Sequence, residues 1–574
     1  MKNQELSKIF NEIAEYLEME GVAFKPYAYQ KAALTLATLK DDIGEIYQKR
    51  GLKGLKEIPG VGASIALKIE EYLKTGKMEY YEEFKRKMPV ELDEIVKVEG
   101  VGPRKAKVLY EKLGIRNLKE MEDAARAHKI APLFGFGDKT EQNILEALEF
   151  LKRSHGRFLL GEILPAAQAV MEKLQQLKEV EVINTAGSVR RMKETIGDVD
   201  LLVISHDPGR VMDFFVSLPG VVKVWGKGTT KSSVRMKEGF DMDLRVIPPE
   251  SYGAALQYFT GSKDHNIALR KIAIDRGLKL SEYGLFQGPR RVAGKTEEEV
   301  YRALGMAWIP PEMRENLGEI DAALEGRLPR IIEHQDIKGD LHVHCNWNGG
   351  ANSIQELAAA AMALGYEYLG ISDHTKFLRI ERGLDEETLE KRNKEIDEIN
   401  DRFRQEGKKF RVLKGCEANI MTDGTIDIDD EALAQLDYVI AGVHSQFKMS
   451  REEMTERIIM ALKNPHVDII SHPTGRILKR RDEYEVDLGR VLEAARDYRK
   501  VLEINSYPER LDLNDVNILR AKKLGMKMVI NTDTHQVSQL HLMKFGVGQA
   551  RRGWAERGDI INTWPVEELL QAFR

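Results

Sequence analysis

Apolar positions change their spacing along the chain, which separates it into three regions. In residues 1 to about 155, apolar residues recur three and four positions apart, as in LSKIFNEIAEYLEME and YQKAALTLATL, which predicts short helices joined by glycine turns. From about 156 to 320, strand-like runs such as EVINTAGS, VDLLVIS and FDMDLRVIP accompany the helical segment LPAAQAVMEKLQQL. This middle region is predicted to be mixed α/β.

The last region has a repeating pattern. A charged stretch with three prolines, IPPEMRENLGEIDAALEGRLPRIIE (309–333), is predicted to be a helical linker. From His334 onward, short apolar runs alternate with amphipathic helices, which indicates repeated βα units. The 574 residues exceed the roughly 250–300 that one core usually holds, so the chain is predicted to be multi-domain.

Two segments of the first region place Gly-Val-Gly before a helix. They are EIPGVGASIALKI (57–69) and VKVEGVGPRKAKV (96–108), and LFGFGDKTEQNIL (133–145) is a looser third copy. Such a turn either only closes a helical hairpin or presents free backbone N–H groups to a DNA phosphate. Three copies favour phosphate binding, and the segments resemble helix-hairpin-helix DNA-binding motifs. The predicted DNA-binding residues are Gly60, Gly62, Gly100, Gly102 and Lys68.

Two pairs of aspartates lie in the strand-like runs of the middle region, Asp198 with Asp200 and Asp241 with Asp243. Alternate residues of a strand share one face, and oxygen ligands held so closely favour Mg²⁺ or Mn²⁺. The alternative is a turn followed by solvated acids. The spacing does not show which member of the second pair joins the first.

The segment GSVRR (187–191), ten residues upstream, favours the metal site. Its hydroxyl, amide and guanidinium groups are the donors that a polyphosphate needs opposite a metal-binding pair of carboxylates. Two metals held there activate a 3′-hydroxyl and stabilise the leaving pyrophosphate.

The segments GSVRRMKETIGDVDLLV, DMDLRVIP, YFTGSKDHNIALR and SEYG resemble the palm and thumb of family X DNA polymerases, the group that includes DNA polymerase beta. The resemblance covers roughly residues 1–320. It implies that Asp243 is the third catalytic carboxylate beside Asp198 and Asp200. The residues that match nucleotide-binding and thumb positions of the family are Gly187, Ser188, Arg191, Gly197, Tyr258, Phe259, Gly261, Asn266 and Arg270.

Lys68 aligns with the lyase lysine of that family. From the sequence alone it is either a solvated surface charge or an amine beside bound DNA that forms a Schiff base with an abasic sugar. Ser64 stands four residues earlier, where the family often has a basic residue.

Nine of the 13 histidines follow residue 330. Seven apolar runs there end in polar residues: GDLHVH, YLGISDH, RVLKGCE, DYVIAGVH, VDIISH, VLEIN and MVINTDTH. If these runs are parallel strands, their carboxyl ends gather on one face of a barrel. Imidazole with carboxylate suits Zn²⁺, Mn²⁺ or Fe²⁺, and metal-bound water hydrolyses phosphate esters. The predicted ligands are His342, His344, His374, Glu417, His444, His472, Asp533 and His535.

The motifs DLHVH, SDH, GVHS, SHPTGR and NTDTH resemble the PHP (polymerase and histidinol phosphatase) domain over residues 335–574. The resemblance implies a distorted (β/α)7 barrel with two or three Mn²⁺ or Zn²⁺ ions. The chain departs from the family at Gly349, where an aspartate ligand is usual, with Asn348 before it. That aspartate would share a metal with His374 and His535, so we expect the third metal to be weakened.

Composition limits the remaining possibilities. The net charge is −5, so affinity for nucleic acid must come from local patches or backbone amides. Two cysteines, no membrane-length apolar run and no signal-like start favour a cytoplasmic protein without disulfides.

A family X polymerase fused to a PHP domain resembles the bacterial and archaeal PolX enzymes. This implies a monomeric repair polymerase that fills gapped or primed DNA with dNTPs, and a 3′→5′ exonuclease or 3′-end-processing site with possible cleavage of abasic sites. The alternatives are a small-molecule phosphoesterase of the histidinol phosphatase kind and a non-catalytic DNA-end-binding module. The predicted divisions are a helical domain (1–90), a fingers-like domain (91–155), palm (156–250), thumb (251–320), linker (321–338) and PHP domain (339–574).

Overall fold

The computed structural model describes residues 2–22, 24–39, 42–96, 98, 101–153 and 156–573. The chain divides into two compact units. Unit 1 is Met1–His155 with Lys479–Asp482, and unit 2 is Gly156–Leu478 with Glu483–Arg574. Within the described ranges, every helix is too short or too polar to cross a bilayer.

Unit 1 is helical throughout its described part, and one apolar core runs from Leu6 to Leu148. The two Gly-Val-Gly turns open helices as predicted, because Gly62 and Gly102 are the extended residues that precede α4 and α7. Its helices are α1 (Lys2–Met19), α2 (Lys25–Thr38), α3 (Ile43–Lys56), α4 (Ala63–Thr75), α5 (Glu79–Lys87), α6 (Leu92–Ile95), α7 (Pro103–Leu113), α8 (Leu118–Arg126) and α9 (Asp138–Arg153).

Unit 2 begins with a five-stranded sheet in the order β2-β4-β7-β6-β5. Strands β4 and β7 are parallel, and the other neighbours are antiparallel. Burial alternates along β7, so one face of the sheet packs on apolar side chains while the other carries polar ones. The elements are β1 (Phe158–Leu159), α10 (Leu160–Gln175), β2 (Val180–Thr185), α11 (Gly187–Arg190), β3 (Thr195–Ile196), β4 (Asp198–Ser205), α12 (Pro208–Val216), β5 (Val221–Lys227), β6 (Lys231–Met236) and β7 (Asp241–Val246).

A smaller helical layer with a three-stranded antiparallel sheet follows. Its elements are α13 (Tyr252–Thr260), α14 (Lys263–Asp275), β8 (Lys279–Ser281), β9 (Gly284–Gln287), β10 (Arg290–Ala293), α15 (Glu297–Ala303) and α16 (Glu319–Leu324). The prediction of a helical stretch over 309–333 is wrong for most of its length, because prolines interrupt it and only α16 and a 3-10 turn at Pro311–Met313 are helical. The end of this stretch packs against the C-terminal part of the same unit. Ile332 is buried there, and its N–H donates to the carbonyl of Ala555 at 2.8 Å.

The remainder of unit 2 alternates strands and helices, and its strand pairs are all parallel. Two sheets, β11-β12-β13 and β14-β15-β16-β17-β18, are joined by single bridges at His374–Glu417 and Val343–Thr534. The elements are β11 (Gly339–Val343), α17 (Ile354–Ala363), β12 (Tyr368–Ile371), α18 (Glu386–Gln405), β13 (Arg411–Lys414), β14 (Glu417–Asn419), α19 (Asp430–Leu433), β15 (Ile440–Gly442), α20 (Arg451–Lys463), β16 (Ile469–Ile470), α21 (Leu488–Asp497), β17 (Val501–Asn505), α22 (Asp515–Lys523), β18 (Met528–Asn531), α23 (Met543–Arg552) and α24 (Val566–Ala572).

Several of these strands are covered on both sides. Every residue of β11, β12 and β17 is buried, which explains the nearly continuous apolar runs in the sequence. Helices α17 and α20 start at a serine whose side chain caps the helix, with a glutamate three residues later completing a capping box. The seven runs predicted as strands all contain strands, with RVLKGCE split between β13 and β14.

Candidate active sites

The register between β4 and β7 brings the four aspartates of the sheet together. Asp198 lies opposite Asp241 and Asp200 lies opposite Asp243. Since the alternate residues Met242 and Leu244 face the core, the carboxylates share the polar face of the sheet at the amino ends of β4 and β7.

The surroundings distinguish the two members of the second pair. Trp225 Nε1 donates to Asp241 Oδ1 at 2.8 Å and Arg235 Nη2 to its Oδ2 at 2.9 Å, whereas Lys231 Nζ lies 2.9 Å from Asp243 Oδ2. Burial, together with the charges of Asp198 and Asp243, raises the pKa of Asp200 to about 6. Of the second pair, Asp243 is therefore the carboxylate whose charge acts on Asp200. It is the member of the pair that the family resemblance favours.

The predicted phosphate-binding turn lies directly beside these acids. Gly187 has φ +59°, and a Cβ added to it would lie 3.0 Å from Asp200 Oδ2, so glycine allows the backbone to approach the carboxylate. Ser188 follows in the first turn of α11, and Gly197 immediately precedes Asp198 at the start of β4.

Arg191 links this turn to the region between α13 and α14. Its Nε donates to Glu315 Oε1 at 2.9 Å, and its Nη1 donates to the carbonyl of Thr260. Gly261 has φ +70°, and a Cβ there would lie 3.2 Å from Arg191 Nη1. The turn around Gly261 is thus closely packed on Arg191.

The other predicted thumb residues form a connected group around the end of α13. The rings of Tyr258 and Phe259 meet edge to face at 5.2 Å, and Arg245 lies 4.5 Å from the centre of the Phe259 ring. Asn266 Nδ2 donates to the carbonyl of Tyr258 at 2.7 Å. Arg270 Nε donates to the carbonyl of Asn266 at 3.3 Å from an exposed position.

A buried ionic network supports this turn, and the sequence analysis missed it. Arg190 Nη2 donates to Glu297 Oε2 at 2.8 Å, and Arg314 Nη1 donates to Glu297 Oε1 at 2.6 Å. Burial alone would raise the pKa of Glu297, but Arg314 and Arg190 outweigh it and lower the pKa to about 2. The only signal in the sequence was Arg190, the first arginine of GSVRR.

A second missed residue, Arg552 at the end of α23, braces the same turn. Its Nη1 donates to the carbonyl of Arg191 at 2.8 Å and to Glu315 Oε1 at 3.0 Å, and its Nη2 donates to Asp515. The C-terminal part of unit 2 therefore positions the predicted triphosphate-binding arginine. No local motif marks this role of Arg552, because Arg191 and Glu315 are more than 200 residues away along the chain.

In unit 1, Gly60 (φ +78°) and Gly62 form the turn before α4, which has no side-chain cap among the described residues. Its first N–H groups are thus available to an anion. Gly102 precedes α7 in the same way, while Gly100 lies outside the described residues.

A cleft of about 810 Å³ adjoins the first turn and is lined by Lys25, Lys56, Lys68 and Tyr80 among others. Lys68 Nζ donates to Ser64 Oγ at 3.0 Å and lies 4.6 Å from the centre of the Tyr80 ring. Burial and the charge of Lys25 lower the pKa of Lys68.

All eight predicted imidazole and carboxylate ligands of the C-terminal region meet in one cluster. Its centre is Glu417, whose Oε2 lies 3.1 Å from His342 Nε2 and 2.9 Å from His374 Nδ1. Its Oε1 lies 3.2 Å from His444 Nε2 and 3.0 Å from His472 Nε2. Three overlapping groups have ligand atoms all within 4.8 Å of one another: His344–His374–His535, His342–His344–Asp533 and His374–Glu417–His444.

The electrostatics of the cluster suit cations. Burial lowers the pKa of His344 well below its ordinary value, and the neighbouring His535 and His374 lower it further. Burial also lowers the pKa of His444 to about 4. Both ring nitrogens of His344 and of His444 are buried without a hydrogen-bond partner among the described residues. Against the effect of burial, Glu417 raises the pKa of His342 and of His374. Imidazoles with orphaned nitrogens around shared carboxylates are a donor set that suits metal cations.

Glu503 supports the cluster from inside β17, and the sequence analysis missed it. Its Oε1 accepts from His342 Nδ1 at 2.7 Å, and its Oε2 accepts from the His472 N–H at 2.8 Å. A carboxylate on the second nitrogen fixes the orientation of a ligating imidazole. The signal was an acid within the otherwise apolar run VLEIN.

Comparisons with known proteins agree with this division of the chain. Residues 1–78 match a helix-hairpin-helix domain, 92–149 a SAM-like helix-hairpin-helix tandem, 255–315 the DNA polymerase beta thumb and 340–507 the PHP domain. The multi-domain fold class, with N-terminal helical domains, mixed α/β content and a C-terminal PHP domain, is thereby confirmed.

The relatives define the family. The chain is 37% identical over 574 residues to "DNA polymerase/3′-5′ exonuclease PolX" of Bacillus subtilis, covering 99% of both chains. It belongs to the PolX family. It is also 40% identical over 134 residues to a probable phosphatase of Caldanaerobacter subterraneus, which is 22% of this chain and 50% of that protein.

Proposed function

We propose that this chain is a PolX DNA polymerase that fills short gaps during DNA repair and carries a 3′→5′ exonuclease in its PHP domain. The observation that supports the proposal is the β4–β7 register: Asp198, Asp200 and Asp243 lie on one face of the sheet, with Asp200 beside Gly187. The protein acts on DNA with dNTPs and depends on divalent cations.

In the synthesis site, Asp198, Asp200 and Asp243 hold Mg²⁺ or Mn²⁺. Such ions, when bound, favour ionisation of the primer 3′-hydroxyl and neutralise charge on the triphosphate. The chain itself positions the nucleotide. The phosphates are bound by four donors near the aspartates: the backbone amides of Gly187 and Gly197, the Ser188 hydroxyl and the Arg191 guanidinium.

The thumb residues select and orient the nucleotide. The backbone around Gly261 and the paired rings of Tyr258 and Phe259 pack against the sugar of the nucleotide. This position follows because Gly261 lies next to the Arg191 guanidinium. Asn266 and Arg270 face the minor groove and the templating base.

In the PHP domain, the eight clustered side chains would hold two or three Mn²⁺ or Zn²⁺ ions, which would activate water for hydrolysis of the 3′-terminal phosphodiester. Glu503 keeps His342 oriented toward the cluster. The resulting exonuclease, or 3′-end-processing activity, removes nucleotides that the palm has added or damaged ends that it is unable to extend.

DNA is held by the backbone N–H groups at Gly60, Gly62, Gly100 and Gly102. Lys68 lies in the cleft that would take a 5′-phosphate, and its lowered pKa is compatible with a Schiff-base role at abasic sites. The division into domains at residues 90, 155, 250, 320 and 338, a monomeric state and a cytoplasmic location are further parts of this proposal.

A primer facing a short gap, with dNTPs and Mn²⁺, tests the proposal. Asp200→Ala is expected to abolish extension and leave degradation of the primer, and His344→Ala is expected to do the reverse. A wild-type chain that neither extends nor degrades the primer would favour the DNA-end-binding module. Hydrolysis of phosphomonoesters that DNA does not affect, without extension, would favour the small-molecule phosphoesterase.

A further inference from the structure

One group of three imidazoles in the PHP cluster is well placed for a cation but has no carboxylate of its own. The ring nitrogens of His344, His374 and His535 lie within 4.8 Å of one another. The rings of His344 and His535 stack at 4.3 Å, and those of His344 and His374 at 4.5 Å. Asp533 belongs to the group with His342 and His344, and Glu417 belongs to the group with His374 and His444.

The space beside this group is filled by the side chain of Glu381. A Cβ added to Gly349 would lie 3.7 Å from His535 Cδ2 and would collide with Glu381 Oε2. The Glu381 carboxylate thus occupies the position into which a side chain at residue 349 would point. Glycine at 349 is what allows it to be there.

The loop that carries Glu381 is anchored to the same group. Asn348 Nδ2 donates to the Glu381 carbonyl at 2.6 Å, and Asn348 Oδ1 accepts from the His374 N–H at 3.3 Å. The Leu384 N–H donates to the His374 carbonyl at 2.8 Å. Asn348 therefore acts as a bridge that fixes Glu381 relative to His374, rather than as a ligand itself.

The Glu381 carboxylate has no other task in the part of the chain that the structure describes. It is half-buried and makes no hydrogen bond or ion pair with any described residue. A half-buried carboxylate without a described partner, in the space between Gly349 and His535, supplies negative charge that a divalent cation held by three imidazoles needs.

We propose that Glu381 completes a cation site with His344, His374 and His535, so that this chain holds its third ion through a glutamate on the opposite loop. The inference rests on the proposed function of the PHP domain. It replaces the expectation that Gly349 weakens the third metal, because the carboxylate reaches the same space from another residue.

Metal content tests the inference without relying on activity. The full chain, in an Asp200→Ala background that removes the palm ions, is loaded with Mn²⁺, passed through gel filtration and measured by mass spectrometry and electron paramagnetic resonance. Glu381→Ala and Glu381→Gln are each expected to bind one ion fewer per chain. Glu387→Ala is the matched control, since Glu387 is exposed and forms an ion pair with Lys391.

An exchange variant keeps the test decisive. Glu381→Ala combined with Gly349→Asp returns a carboxylate to the same space and is expected to restore the lost ion. If Glu381→Ala keeps the full number of ions, or if Glu387→Ala loses one as well, Glu381 is not a ligand. If Glu417→Ala retains as many ions as the Asp200→Ala background, the histidine cluster holds none and the proposed PHP function fails as well.

Discussion

Replacing Asp200 by asparagine is expected to stabilise the metal-free chain at neutral pH while abolishing DNA synthesis. In the folded chain, burial, Asp198 and Asp243 raise the pKa of Asp200 from 3.8 to about 6. The folded state thus binds the Asp200 proton more tightly than the unfolded state does. Ionised Asp200 therefore destabilises the fold, and the penalty grows as pH rises from about 4 to about 6.

The magnitude follows from the size of that rise. One pKa unit corresponds to about 1.4 kcal/mol, so the penalty reaches about 3 kcal/mol above pH 6 and vanishes below pH 4. Asparagine has nearly the same shape and no charge. Asp200→Asn should recover most of this free energy at pH 8 and very little at pH 4.

The assay is denaturant unfolding in the presence of a chelator at both pH values, comparing the free energy of unfolding of each variant with that of wild type. Asp241→Asn is the matched control on the same face of the sheet. The hydrogen bond from Arg235 lowers the pKa of Asp241, so its ionised form is favourable and its removal should give no gain. Equal stability of Asp200→Asn and wild type at pH 8, or an equal gain in both variants, would refute the reasoning.

Three further outcomes are expected. Arg552→Lys keeps the charge but loses the paired contacts to the Arg191 carbonyl and Glu315. The KM for dNTPs should therefore rise about tenfold, while the metal content of the PHP domain stays the same. An unchanged KM would show that Arg552 does not position Arg191. Glu503→Gln should weaken PHP metal binding by about 10–100-fold, as loss of an imidazole's carboxylate partner does, with extension rates unaffected. Lys68→Ala should weaken binding of gapped DNA that bears a 5′-phosphate more than of DNA without one, as measured by fluorescence anisotropy, and equal loss for both would exclude a phosphate contact.

The sequence predicted most of the PHP cluster because strand ends converge in parallel βα folds. The eight predicted ligands lie in six of the apolar runs, at or near their ends, so their positions along the chain were enough to group them. Glu503 and Glu381 could not be found in this way. Glu503 lies inside β17, and Glu381 lies in a loop whose position depends on Asn348.

The palm shows the limit of spacing more sharply. Two Asp-x-Asp pairs were visible, but spacing did not separate Asp241 from Asp243, and only the resemblance to family X polymerases favoured Asp243. In the structure, Arg235 on β6 and Trp225 on β5 donate to Asp241. Asp243 pairs with Lys231, and its charge acts on Asp200. Contacts between strands are set by register, which a pattern along one strand does not contain.

The contacts of α23 also bear on how the protein is dissected into fragments. A shortened chain ending before residue 339 lacks both Arg552 and the Arg476 that pairs with Glu194 near the triphosphate turn. Poor synthesis by such a fragment would then report a missing scaffold, not a missing nuclease. Point substitutions in the histidine cluster are the sounder way to separate the two activities.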